Sequence, residues 1–159
     1  MMPGGRFSRI AVAIDGSPNS EEALEAAVDL AQRYGSELTV LTVAPLVPVY
    51  MPSGNSYMAA PITQSDTGRY HALVDAAVKR AHGAGVATVT GVCQEGVVVD
   101  EILAFLETHS MDLVVVGSRG LSATKRLLIG SISSALVTHA PCPVLVVRSR
   151  PATKPAGSP

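Results

Sequence analysis

The chain has 159 residues, of which 47% are hydrophobic, and a net charge of −1. That length suits one domain with a substantial core, and the apolar content excludes a largely disordered chain. So small a charge exerts no long-range pull on nucleic acid or an anionic membrane, so neither is expected as a partner. No apolar run is long enough to span a bilayer, and Met1 to Phe7 carry no apolar leader, so a cytoplasmic protein is expected. Cys93 and Cys142 lack a CxxC partner and a surrounding Cys/His cluster, which leaves a disulfide framework or metal centre without support. They read as small packing residues.

In chain order, strands and helices alternate. Ile10 to Ile14 is a short apolar run stopped by the turn cluster Asp15-Gly16-Ser17-Pro18. Asn19, with Glu22 three residues on, marks a helix start; Leu24, Ala27, Val28 and Ala31 keep helical spacing until Gly35. Leu38 to Val43 is a second strand. From Ala44 to Ser65, Pro45, Pro48, Pro52, Gly54 and Pro61 are too much punctuation for regular structure. Val47, Val49, Tyr50, Met51, Tyr57 and Met58 are too apolar for a solvated linker, so a mobile flap with a contact surface is expected there. Simple disorder is the alternative.

Tyr70, Val74, Ala77, Val78 and Ala81 mark a second helix stopped by Gly83 and Gly85. Val86 to Cys93 reads as a third strand, and Ile102, Leu103 and Leu106 define a third helix. Leu113 to Val116 is a fourth strand that stops at Gly117. A fourth helix opens after Gly130 with Ser131, Ser133 and Ser134, its apolar face at Ile132, Ala135 and Leu136. Val144 to Val147 is the fifth strand, and the tail Pro151 to Pro159 is expected to be disordered.

Strands so uniformly apolar must be covered on both faces, as in parallel sheets. The pattern predicts an α/β protein: a single open, doubly wound, parallel five-stranded sheet with helices on both faces. Such sheets bind ligands beyond the carboxyl ends of the strands, where strand order reverses.

Two glycine sites, Gly117/Gly120 and Gly130, bracket one strand-to-helix connection that also holds Arg119, Lys125 and Arg126. A single glycine turn would need no more than strand termination and helix capping. Two such sites suit phosphate, because glycine admits close backbone approach and a helix start offers unpaired N–H groups. If the first and fourth strands are neighbours, Asp15 faces the same crevice. Its carboxylate then accepts from ribose hydroxyls or holds a divalent cation, or else merely caps the helix start; local grounds leave these open.

A P-loop string G-x-x-x-x-G-K-[ST] does not occur. Nor does a clustered Ser-Gly-Gly loop with a following Asp after the first strand. His71, His82, His109 and His139 fall on or at the ends of predicted helices with no Ser or Cys in a catalytic arrangement, so no catalytic residue is assigned.

The spacing Gly117-x2-Gly120-x9-Gly130-Ser131 resembles the ATP-binding signature of the universal stress protein family. The framing strands Ile10–Ser17, Leu38–Val43 and Pro141–Val147 agree with it, so the resemblance runs from Arg9 to Val147. It implies strand order 3-2-1-4-5 with ATP, accompanied by Mg or Mn, at the reversal between the first and fourth strands. By position, Asp15 would serve the ribose or the metal, and backbone at Ala13 and Val43 would meet adenine. Gly117, Gly120, Gly130, Ser131 and Ser133 would hold ribose and phosphates. The implied division is a flexible N-terminus at 1–8, a nucleotide-binding domain at 9–148 and a disordered tail at 149–159. The implied function is a nucleotide-responsive stress regulator with slow hydrolysis at most, forming a homodimer through Val144–Val147. The alternatives are a cyclic adenine nucleotide-binding protein and a structural, chaperone-like dimer without nucleotide.

Overall fold

The computed structural model describes residues 5–50, 57–60, 64–119 and 129–149. Its elements run β1 (Arg9–Ala13), α1 (Pro18–Tyr34), β2 (Glu37–Pro45), β3 (Val47–Tyr50), β4 (Tyr57–Ala60), α2 (Gln64–Gly83), β5 (Val89–Gly96), α3 (Val98–Thr108), β6 (Leu113–Gly117), α4 (Ser131–His139) and β7 (Val144–Val147). Five strands form one parallel sheet in the order β5-β2-β1-β6-β7, the expected 3-2-1-4-5 when its strands are counted along the chain.

The chain winds outward from β1 through β2 to β5, then crosses back to β6 and β7. Right-handed crossovers in opposite directions place helices on opposite faces. On one face Ile10, Val12, Leu38, Val40 and Val115 pack with Ala23, Leu24 and Ala27 of α1 and Ala77 and Ala81 of α2. On the other, Ala11, Leu41, Val43, Val114 and Val116 pack with Ile102, Phe105 and Leu106 of α3 and Leu136 of α4. The alternation follows from the two-residue period of a strand. Each fully buried leucine contributes about 1.5–3 kcal/mol by leaving water, and trimming Leu106 to alanine would cost about 2–5 kcal/mol.

Four boundaries differ from the sequence reading. α1 starts at Pro18, and its cap is Ser17 rather than Asn19, because proline is tolerated at the first helical position. β5 begins at Val89, three residues later than expected, and runs on to Gly96. Val86 is buried instead beside the end of α2, where its N–H donates to Ala81 O at 3.1 Å; it closes the helix and does not start the strand. β2 continues past Val43 to Pro45, paired with β5 throughout. Last, the punctuated segment does hold regular structure: β3 and β4 pair antiparallel, with Val47 opposite Ala60 and Tyr50 opposite Tyr57. A two-stranded ribbon is all edge, so Pro48 need not cost a ladder bond.

Phe7 and Ser8, within the segment expected to be flexible, touch the domain. Phe7 packs on the first core cluster, and Ser8 O accepts from Glu37 N at 2.9 Å. The tail 150–159 lies outside the described residues.

Candidate functional site

The strand order reverses between β1 and β6, so their carboxyl ends open side by side. After β1 comes a self-contained turn. Half-buried Asp15 accepts from Ser17 N through Oδ1 at 2.9 Å, and Ser17 Oγ caps α1 by accepting from Ser20 N at 3.2 Å. Ser20 Oγ in turn donates to Ser17 O at 2.9 Å and accepts from Asp15 N at 3.3 Å. Thr42 Oγ1, from β2, holds Ile14 O at 2.8 Å. Asp15 therefore braces the turn without being the helix cap. Among the described residues no donor reaches its Oδ2.

The turn after β6 is built differently. A Cβ at Gly117 would lie 2.8 Å from the carbonyl carbon and oxygen of Asn19, so glycine there lets the first turn of α1 abut the end of β6. Buried Ser118 donates its N–H to Val147 O at 2.8 Å. Its carbonyl accepts from Gly130 N at 2.7 Å and from Ser133 Oγ at 3.2 Å, which closes the long connection onto the root of α4. Ser133 Oγ also reaches Gly130 O at 3.1 Å. A Cβ at Gly130 would sit 3.2 Å from Ser118 O, so this approach too needs a glycine or a shift.

α4 starts with no side-chain cap at Gly130 and no acidic residue in its first turn. Its ladder begins with Ser134 N to Gly130 O at 2.9 Å, so the N–H groups of Ser131, Ile132 and Ser133 precede it. Among the described residues these N–H groups find no acceptor, and they stand at the positive end of the helix dipole. A helix start of that kind favours an anion.

Of the residues expected to form a site, Asp15, Gly117, Gly130, Ser131 and Ser133 lie on these two turns. Ala13 is the last residue of β1, paired with Leu41 and Val116. Val43 continues β2 two residues beyond that pairing, at the level of Asp15, and is 6% exposed. Gly120, Lys125 and Arg126 lie outside the described residues. Ser131 is exposed, whereas Ser133 is 2% exposed and spends its hydroxyl inside the protein. The sequence reading passed over Ser118, whose carbonyl gathers the loop, and Gln94, whose Oε1 is buried without a partner. A lone glutamine after Val92 and Cys93 was the available signal.

Other reactive groups lie elsewhere. Burial pushes both the Cys93 and Cys142 thiols up, and Glu95 and Asp112 push the same way, so both are held as thiols. His71 and His82 are exposed on α2, His139 ends α4, and His109 closes α3 stacked on Phe105 with centroids 3.9 Å apart. Among the described residues no three His, Cys, Asp or Glu gather as a metal cluster, and no helix is long and apolar enough to cross a membrane.

The fold is an open α/β domain whose two turns lie at the sheet reversal. The model of the universal stress protein family matches residues 6–148, and the chain belongs to that family. It is 34% identical over 148 residues to universal stress protein YxiE of Bacillus subtilis, covering 89% of this chain and 99% of that protein. Its fold is similar to that of universal stress protein UspA from Lactobacillus plantarum, with a TM-score of 0.79 at 24% identity over 91% of this chain and 100% of the other. A universal stress protein solved in complex with cAMP is similar with a TM-score of 0.71, at 24% identity over 92% of this chain and 100% of that one. Two more distant folds carry dAMP, in a protein from Archaeoglobus fulgidus (TM-score 0.62, 20% identity, 89% and 98% covered), and AMP, in one from Arabidopsis thaliana (TM-score 0.64, 22% identity, 94% and 96% covered).

Proposed function

We propose that this protein binds ATP with Mg or Mn at the β1/β6 reversal and acts as a nucleotide-responsive stress regulator of the cytoplasm. The observation that carries the reading is the start of α4, which has neither a side-chain cap nor an acidic residue and follows the strand paired with β1, whose own turn holds Asp15. Phosphate oxygens accept from the N–H groups of Ser131, Ile132 and Ser133, while Asp15 Oδ2 accepts from ribose or ligates the cation. A cation with one protein carboxylate and otherwise phosphate and water is the usual magnesium arrangement. Gly117, Gly120 and Gly130 let backbone come close, and backbone at Ala13 and Val43 borders the base. The nucleotides carried by the similar folds support an adenine base.

Turnover is slow, because fast phosphoryl transfer needs a positioned nucleophile beside metal and phosphates. No described side chain at the crevice is placed to activate water. Titration calorimetry tests the reading: Asp15→Asn keeps an acceptor for Ser17 N, so its fold survives, but its affinity for ATP with Mg falls at least about tenfold, roughly 1.4 kcal/mol. Wild-type protein that binds no ATP, and releases no nucleotide on denaturation, would leave the structural-dimer reading. Release of cAMP alone would establish the cyclic-nucleotide reading.

The protein forms a homodimer through β7. This strand is a sheet edge with Leu145 37% exposed, and apolar edges invite pairing with another chain. Sedimentation equilibrium should show a dimer at about 10 µM, well above the nanomolar range of strong complexes, and a monomer for Val146→Lys.

A further inference from the structure

Gln94 is the one described side chain with a buried oxygen that finds no partner. It stands near the carboxyl end of β5, in register with Val43 of β2. Val92, two residues earlier, packs on the α3/α4 face, so the strand period puts Gln94 on that face as well. Val43 and the start of α4 lie on the same side of the sheet. A buried acceptor without a donor is costly, and an apolar residue in its place would avoid the cost. Such a group is explained when a ligand supplies the missing donor.

We propose that Gln94 selects the 6-amino group of adenine, an inference that rests on the nucleotide reading above. Adjacent strands lie about 4.8 Å apart, so β5 stands about 14 Å from β6, a span suited to an extended nucleotide with phosphates at α4. The base then falls over the ends of β2 and β5. An amide offers an acceptor and a donor side by side, and adenine presents the complementary donor and ring-nitrogen acceptor. On the N7 edge a 6-oxopurine presents two acceptors, so whichever way the amide is turned its oxygen stays unpaired.

The experiment compares ATP and ITP by calorimetry on wild-type protein and Gln94→Leu. Wild type should prefer ATP by about tenfold, the scale of one good base contact. Gln94→Leu should lose about tenfold in ATP affinity, hold ITP within about twofold and show no preference; its ligand-free melting temperature should be equal or higher. Gln94→Met provides the same readout should the leucine variant misfold. An unchanged ATP preference in the variant, or equal losses for both nucleotides, overturns the assignment while nucleotide binding stands. Wild type that binds both equally does the same. Wild type that binds neither overturns this inference together with the nucleotide reading.

Discussion

Two strand-to-helix turns sit side by side at the sheet reversal, and they treat their helix starts in opposite ways. The turn after β1 satisfies its own donors: Ser17 caps α1, Pro18 occupies the first turn, Asp15 braces Ser17 N, and Glu21 meets the dipole. The turn after β6 spends its side chains on closing itself, through Ser133 and the Ser118 carbonyl, and leaves α4 with neither cap nor acid. One turn is complete as folded. The other leaves the first N–H groups of α4 without an acceptor among the described residues. α3 also starts without a side-chain cap, at Val97, but carries Asp100 and Glu101 in its first turn, so of α1, α3 and α4 only α4 has neither cap nor acid.

The largest test of that contrast is Gly117→Ala. Its methyl would meet the Asn19 backbone at 2.8 Å and wedge the two turns apart. We expect a loss of about 1–3 kcal/mol, or roughly 3–10 °C in melting temperature, with weaker nucleotide binding. An unshifted melting curve would show that the turns do not abut. Ser131→Asp sharpens the comparison next. An acidic group in the first turn of α4 should stabilise the ligand-free protein by about 0.3–1 kcal/mol. It should also weaken ATP at least about tenfold, since it takes the place of the phosphate charge. Stabilisation with full affinity would separate the helix start from the ligand.

Ser17→Ala attacks the other turn. Losing that cap should cost about 1 kcal/mol in chemical denaturation, with ATP affinity changed by no more than about twofold. A collapse of affinity would mean that both turns serve the ligand equally. Ser133→Ala, expected to leave ATP affinity least changed, removes the hydroxyl between Ser118 O and Gly130 O. It should cost about 0.5–1.5 kcal/mol and speed amide exchange at Gly130, reporting how firmly the long connection is pinned.

Much of this was legible from residues alone. Leu113 to Val116 reads as a buried strand, and Gly130 with its serines reads as a helix start. Gly117 was legible as a glycine that permits close approach, but the group it admits is the Asn19 backbone. The ribbon of β3 and β4 was hidden by Pro45, Pro48 and Pro52, because proline rules describe interior strands better than edges. Val86 misled for a related reason: apolar residues next to a strand look alike whether they pair in it or close the preceding helix.

The sequence by itself determined the alternation of strands and helices, the coverage of both sheet faces, and where each apolar run must stop. Those properties depend on neighbours within a few residues, through side-chain period and turn chemistry. Strand order was not among them; the family resemblance implied it, and the pairing of β1 with both β2 and β6 established it. Only the tertiary structure decided that the Ser118 carbonyl gathers the root of α4, that Asn19 fills the space beside Gly117, and that Gln94 buries an oxygen with no donor. These are contacts between segments far apart in the chain. They are settled by crossover handedness and by which surfaces can be buried together.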